Sequence, residues 1–147
     1  MYKKTKCCTT GSLFIGLLCQ LLVAPLLAKD TGYLFVSSEK DHVVTVLDGK
    51  SYEKVTAIKT AERPRGLKFS PDNSLLYVAC GDGDSIDIID IAKLKVVDQL
   101  DVGDDPERFD LSPDGRYLYA SNEDDGLLTV FDLKERKTVA EVEVGEE

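Results

Sequence analysis

This chain repeats itself at an interval of 42 residues. Ser70-Pro71-Asp72 returns as Ser112-Pro113-Asp114, Pro64 as Pro106, Tyr77 as Tyr119, and Val102-Gly103 as Val144-Gly145. One period earlier, Asp48 answers Asp90 and Asp132, and "LFVSS" (34–38) answers "LYVAC" (76–80). No gap is needed in any of these matches. A repeat of this length is one supersecondary unit, unable to bury its apolar face alone, that stacks on copies of itself.

Each unit reads as four short strands. "GLKFS" (66–70) alternates apolar and polar residues. Ser-Pro-Asp-Asn or Ser-Pro-Asp-Gly then makes a tight turn: proline presets φ, aspartate ties to nearby backbone N–H groups, and Asn73 or Gly115 accepts a positive φ. "LLYVAC" (75–80) and "SIDIID" (85–90) are almost continuously apolar, as strands covered on both faces should be. "KVVDQLDV" (95–102) alternates, which suits an outer strand with one wet face. Asp48, Asp90 and Asp132 each close a third strand, where a carboxylate caps the next turn.

Four strands in about 40 residues predict an all-β fold, a β-propeller with four-stranded blades. Blade 1 spans 32–62, blade 2 spans 63–104 and blade 3 spans 105–147. "GYLFVSS" (32–38) enters blade 1 at its second strand. A closed ring takes roughly four to eight blades. The expectation is therefore an incomplete, N-terminal portion of a propeller.

Residues 1–28 stand apart from the repeat. Lys3, Lys4 and Lys6 precede an apolar run, "LFIGLLCQLLVAPLLA" (13–28), that ends on a small residue, Ala28. This is the layout of a secretory signal peptide, so a periplasmic or secreted location is expected. The run is short and carries Pro25 near its end, so no stable membrane span is expected after cleavage. Loss of 1–28 removes three lysines and no acid, moving the net charge from −9 to −12. That field repels phosphate backbones and excludes nucleic acid as a partner. Cys7, Cys8 and Cys19 leave with the signal, and Cys80, at the end of an apolar strand, reads as a small buried hydrophobe.

In a blade of this kind the loops after the second and fourth strands open on one side. That side collects "EKDH" (39–42), "AERPR" (61–65), "GDGD" (81–84), "GDDPER" (103–108), "EDDG" (123–126) and "GEE" (145–147), and is strongly acidic. The other side carries Lys50, Lys93, Lys95, Lys134, Arg136 and Lys137 and is expected to be positive. Binding candidates cluster on the acidic side. Arg65 and Arg108 are placed just before innermost strands, within reach of the central axis, with Arg63, Glu107, Asn122, Glu123 and Asp124 nearby. The arginines suit a small anion, or else salt bridges between blades; the acidic rim suits a basic partner.

"YVAC", "YASN" and "FVSS", each followed by a strand ending in Asp, resemble the YVTN β-propeller repeat family across residues 32–147. "RPRGLKFSPD" (63–72), "DPERFDLSPDGRYLY" (105–119) and "NEDDGLLTVFD" (122–132) are similar to the exported YVTN propellers found with pyrroloquinoline-quinone (PQQ)-dependent alcohol catabolism. That resemblance implies a periplasmic accessory protein, with a quinoprotein dehydrogenase or a cytochrome c as partner. It transfers no catalytic residue.

The chain has no Trp, whereas quinoproteins pack PQQ against tryptophan. PQQ association is thus implied by resemblance only, and no bound cofactor is expected. Propeller lactonases and haem d1 proteins, related in architecture, use histidines or charged residues at the central channel. Here His42 is the single histidine, read as a solvated loop residue. No His/Cys cluster has metal-ligand spacing, and neither "GDGD" nor "NEDDG" matches a Ca²⁺ loop, so no metal site is expected. The leading expectation is a binding or scaffold propeller, with a lactonase-type hydrolase as the alternative.

Overall fold

A computed structural model describes residues 30–145; the signal peptide expected over 1–28 lies outside the described residues. Apolar runs broken by Asp- and Gly-containing turns fold into three antiparallel sheets of consecutive strands, and the described residues include no helix. The first holds β1 (Tyr33–Ser38), β2 (Val43–Asp48) and β3 (Lys54–Lys59). The second holds β4 (Pro64–Phe69), β5 (Leu75–Cys80), β6 (Ser85–Asp90) and β7 (Lys95–Leu100). The third holds β8 (Pro106–Leu111), β9 (Tyr117–Asn122), β10 (Leu127–Asp132) and β11 (Lys137–Glu143). These are three successive propeller blades, the first entered at its second strand. Among the described residues no helix is long and apolar enough to cross a membrane.

The 42-residue interval governs the backbone as well as the side chains. Leu34 pairs with Leu47, Leu76 with Ile89 and Leu118 with Phe131, one register in three blades. Each fourth strand slips at the same place, between Val46/Leu47, Ile88/Ile89 and Val130/Phe131. Left-handed backbone recurs at His42, Asp84 and Gly126, at Tyr52, Leu94 and Arg136, and at Arg63 and Asp105. Such conformations are strained for most residues and persist only where the surrounding structure imposes them. Here the blade imposes them on whichever side chain falls there.

The core lies in the seams between blades. Val44, Val46 and Ile58 of blade 1 pack against Leu76, Val78, Cys80 and Ile89 of blade 2. Tyr77, Ala79, Ile86, Ile88 and Leu100 of blade 2 pack against Leu118, Ala120 and Phe131 of blade 3. Alternate residues of β5 therefore face opposite seams, which is why the strand reads as continuously apolar. Each buried Leu or Ile contributes roughly 1.5–3 kcal/mol. Outside the seams the equivalent positions are open: Leu34 is 44% and Val36 49% exposed, and β11 is exposed throughout. Cys80 is fully buried, and burial, helped by Asp87, pushes its thiol up to about 12.

Turn chemistry follows the sequence closely. Asp48 Oδ1 accepts from Lys50 and Ser51 N–H, Asp90 Oδ1 from Lys93 N–H, and Asp132 Oδ1 from Lys134 and Glu135 N–H. Asp72 and Asp114 each accept the N–H two residues on, at 3.1 Å, and Asp30 does the same for Gly32 at 3.0 Å.

Two expectations are corrected. The innermost strands begin at Pro64 and Pro106, so Arg65 and Arg108 lie inside β4 and β8 rather than before them. Proline, lacking an N–H, fits the first residue of a strand, and a bulge follows each. The side opposite the acidic loops is near neutral rather than positive. The aspartates that cap its turns (Asp48, Asp72, Asp90, Asp114, Asp132) share it with its lysines and arginines.

Candidate functional site: an ionic seam on the acidic side

Two loops leading into innermost strands build the site. Arg63, at φ 55°, donates its N–H to His42 Nδ1 at 3.0 Å. Asp105, at φ 42°, donates its N–H to Asp84 Oδ1 at 3.1 Å. Farther on, Gly81 N–H donates to Arg63 O and Glu123 N–H to Asp105 O. The same backbone scaffold thus carries Arg63 in blade 2 and Asp105 in blade 3. His42 is not a solvated loop residue: it is half-buried and plays the part Asp84 plays one blade later. Because Nδ1 accepts, the ring proton resides on Nε2.

Opposite charges at equivalent positions meet across the seam. Arg63 corresponds to Asp105, Arg65 to Glu107 and Lys68 to Asp110. Arg63 Nη2 lies 2.7 Å from Glu107 Oε1, and Nη1 lies 3.4 Å from Asp105 Oδ1 and 2.9 Å from Asp82 Oδ1. Arg65 Nη1 pairs with Glu107, and its Nε lies 3.7 Å from Glu39 of blade 1. Lys68 Nζ lies 2.8 Å from Asp110 Oδ1. The two guanidinium groups thereby tie three blades together.

Carboxylates outnumber cations here, and the titration behaviour reflects it. Oxygens of Asp105, Glu107 and Glu123 all lie within 4.8 Å of one another. Burial raises the Asp105 pKa, Arg63 opposes it, and Asp124, Glu123 and Asp82 raise it further. The hydrogen bond to Asp82 raises that of Arg63.

The sequence-predicted residues divide into three groups. Arg63, Arg65, Glu107 and Glu123 come together in the ionic cluster. Arg108 and Asn122, with Glu107 and Glu123, line a small cavity of about 130 Å³. Asn122 Nδ2 donates to Val102 O and Asp104 O, while its buried Oδ1 has no partner. Asp124 stays exposed and reaches the cluster only through its field. Sequence reasoning missed Glu39, Asp82 and Asp105 as members. For Asp105 the available signal was the charge reversal against Arg63, 42 residues earlier; Glu39 and Asp82 carried none.

The comparisons agree with this architecture. Hydrazine synthase of Kuenenia stuttgartiensis matches with TM-score 0.71 and 25% identity, over 78% of this chain and 33% of that one. Dihydro-heme d1 dehydrogenase NirN in complex with DHE matches with TM-score 0.65 and 30% identity, over 78% of this chain and 25% of that one. A functionally unknown protein from Desulfotomaculum acetoxidans shares the fold at TM-score 0.64 and 18% identity, over 76% of this chain and 38% of that one. The chain thus spans well under half the length of these proteins. No curated protein matches it. The Cytochrome D1 heme domain profile matches residues 29–146, and the chain belongs to that family.

Proposed function

We propose that this chain is part of a periplasmic binding or scaffold propeller that docks a basic protein on its acidic side. The observation that supports this is what the seam leaves over. Arg63 and Arg65 are taken up by Glu39, Asp82, Asp105 and Glu107, while Asp41, Glu62, Asp101, Asp104, Asp124 and Asp125 stay exposed around them. Such a surface repels anions and steers cationic partners. A basic c-type cytochrome or a quinoprotein dehydrogenase fits that surface, and the likeness to propellers of PQQ-dependent alcohol oxidation supports the same setting.

The family name implies a haem, which requires a His, Cys, Met or Tyr ligand. Among the described residues, His42 Nδ1 is committed to Arg63 N–H, and Cys80 is sealed in a seam. The acidic loops hold no tyrosine, and two of the three arginines on that side, Arg63 and Arg65, are already paired with carboxylates. These residues do not fit a haem, and the docking reading uses none.

The test is charge reversal. Asp104→Lys with Asp124→Lys and Asp125→Lys should slow association with a basic c-type cytochrome about tenfold or more at low salt. Lys50→Glu with Lys134→Glu, on the opposite side, should change little. Equal effects from both sets would refute side-specific docking. The rival reading, a lactonase-type hydrolase, draws on the Asp105–Glu107–Glu123 convergence and the raised Asp105 pKa, which suit proton donation. Lactone turnover abolished by Asp105→Asn would support it, and absence of turnover would remove it.

A further inference from the structure

The opposite side of the molecule holds a larger cavity, about 530 Å³, at the seam of blades 1 and 2. Tyr33, Leu75, Ile91 and Leu94 give it an apolar wall, and Asp72 and Asp90 an acidic one. Among the described residues, no lysine or arginine lines it. That volume lies within the range of small-molecule sites.

The next blade shows what such a place is built to hold. Arg116 corresponds to Ser74, Tyr117 to Leu75 and Asp132 to Asp90. The backbone equivalence is close: Leu133 N–H donates to Arg116 O at 2.9 Å, and Ile91 N–H to Ser74 O at 3.1 Å. Asp132 is the register partner of Tyr117, as Asp90 is of Leu75. In blade 3 the Arg116 guanidinium lies 5.0 Å from the Tyr117 ring centroid and donates twice to Asp132 Oδ2, at 3.0 and 3.2 Å. In blade 2 serine supplies no guanidinium there, and the Asp90 side chain is 19% exposed where that of Asp132 is 3%. Lys93 Nζ lies 2.6 Å from Asp90 Oδ2 with its side chain 59% exposed, against 49% for Arg116. An incoming cation therefore shares the carboxylate, which has room for about four hydrogen bonds, or displaces that lysine into solvent.

We infer that this cavity binds an organic cation, a guanidinium or ammonium group on a short apolar chain. The charged head lies against Asp90 above Leu75, as Arg116 lies against Asp132. The chain lies along Ile91 and Leu94, and Tyr33 offers an aromatic face to the cation. This site is independent of the docking reading and lies on the other side of the blades.

The experiment titrates the whole chain with butylguanidinium, followed by amide chemical shifts, with neutral butylurea as control. A capped Gly-Arg-Gly peptide forms a second arm, which separates a free small molecule from a protein side chain as the source. Shifts centred on Leu75 and Asp90, from either cation and not from butylurea, are expected. Asp90→Asn should weaken binding about tenfold or more. Ser74→Arg should abolish binding while leaving the melting temperature the same or higher, because the new side chain takes the ligand's place. Butylurea binding as well as the cations, no binding of either cation, or a folded Ser74→Arg variant that binds unchanged would overturn the inference.

Discussion

Arg63 and Asp105 hold the same place in successive blades, and Arg63 Nη1 lies 3.4 Å from Asp105 Oδ1 across the seam. Burial raises the Asp105 pKa from 3.8, and the guanidinium restrains that rise. Arg63→Met removes the restraint, so the Asp105 carboxyl should titrate higher than in the parent chain. A carboxylate raised in the folded state adds stability at acid pH that is lost as pH rises through the folded pKa. In the variant that loss extends to higher pH. A carboxyl NMR titration in which Asp105 moved down or stayed fixed would contradict this.

Asp72 behaves in the opposite sense. The Ser70 hydroxyl, then the Ser74 N–H and hydroxyl, hold its pKa down at about 2, from 3.8. Its contribution is present above 3.8 and fades as pH falls towards about 2. Asp72→Asn should flatten that part of the stability profile in urea melts. A variant as acid-sensitive as the parent would argue against the turn as the source.

Two glycines should respond differently to alanine. Gly103 has φ 101°, and an added Cβ would come within 2.6 Å of Asn122 Nδ2, which holds the Val102 and Asp104 carbonyls. Gly32 has φ 70° and open space around it. Gly32→Ala should cost about 1–2 kcal/mol from the backbone alone, and Gly103→Ala distinctly more. Equal losses would mean the Asn122 contact is slack.

Cys80 should be inert. Fully buried, with its thiol pushed up to about 12, it offers almost no thiolate at neutral pH. Thiol reagents should label it only in denaturant. Labelling of the native chain at the rate of a free thiol would mean that the seam of blades 1 and 2 opens readily.

Much of this was readable beforehand because local chemistry and repeat point the same way. Asp48, Asp90 and Asp132 cap their turns, and Asn73 and Gly115 take positive φ, as their residue types suggest. The seam was less legible. Glu39 and Asp82 belong to no motif and matter only because Arg63 and Arg65 reach across to other blades and loops. His42 resembled a solvated loop residue because its role as acceptor depends on a φ of 53° that no sequence pattern announces. The Arg116–Asp132 pair likewise gains meaning only beside blade 2, where Ser74 supplies no guanidinium and Asp90 is more exposed.

The most direct measurement is a double-mutant cycle on Arg63→Gln and Glu107→Gln, read by denaturant unfolding at neutral pH. If Arg63 is committed to the seam, each single change destabilises, and the pair shows a coupling of about 1 kcal/mol or more, within the range for contacting residues. Additive losses, within about 0.3 kcal/mol, would show that Arg63 and Glu107 do not depend on each other. The arginine would then be available to a ligand, contrary to the structural role assigned to it.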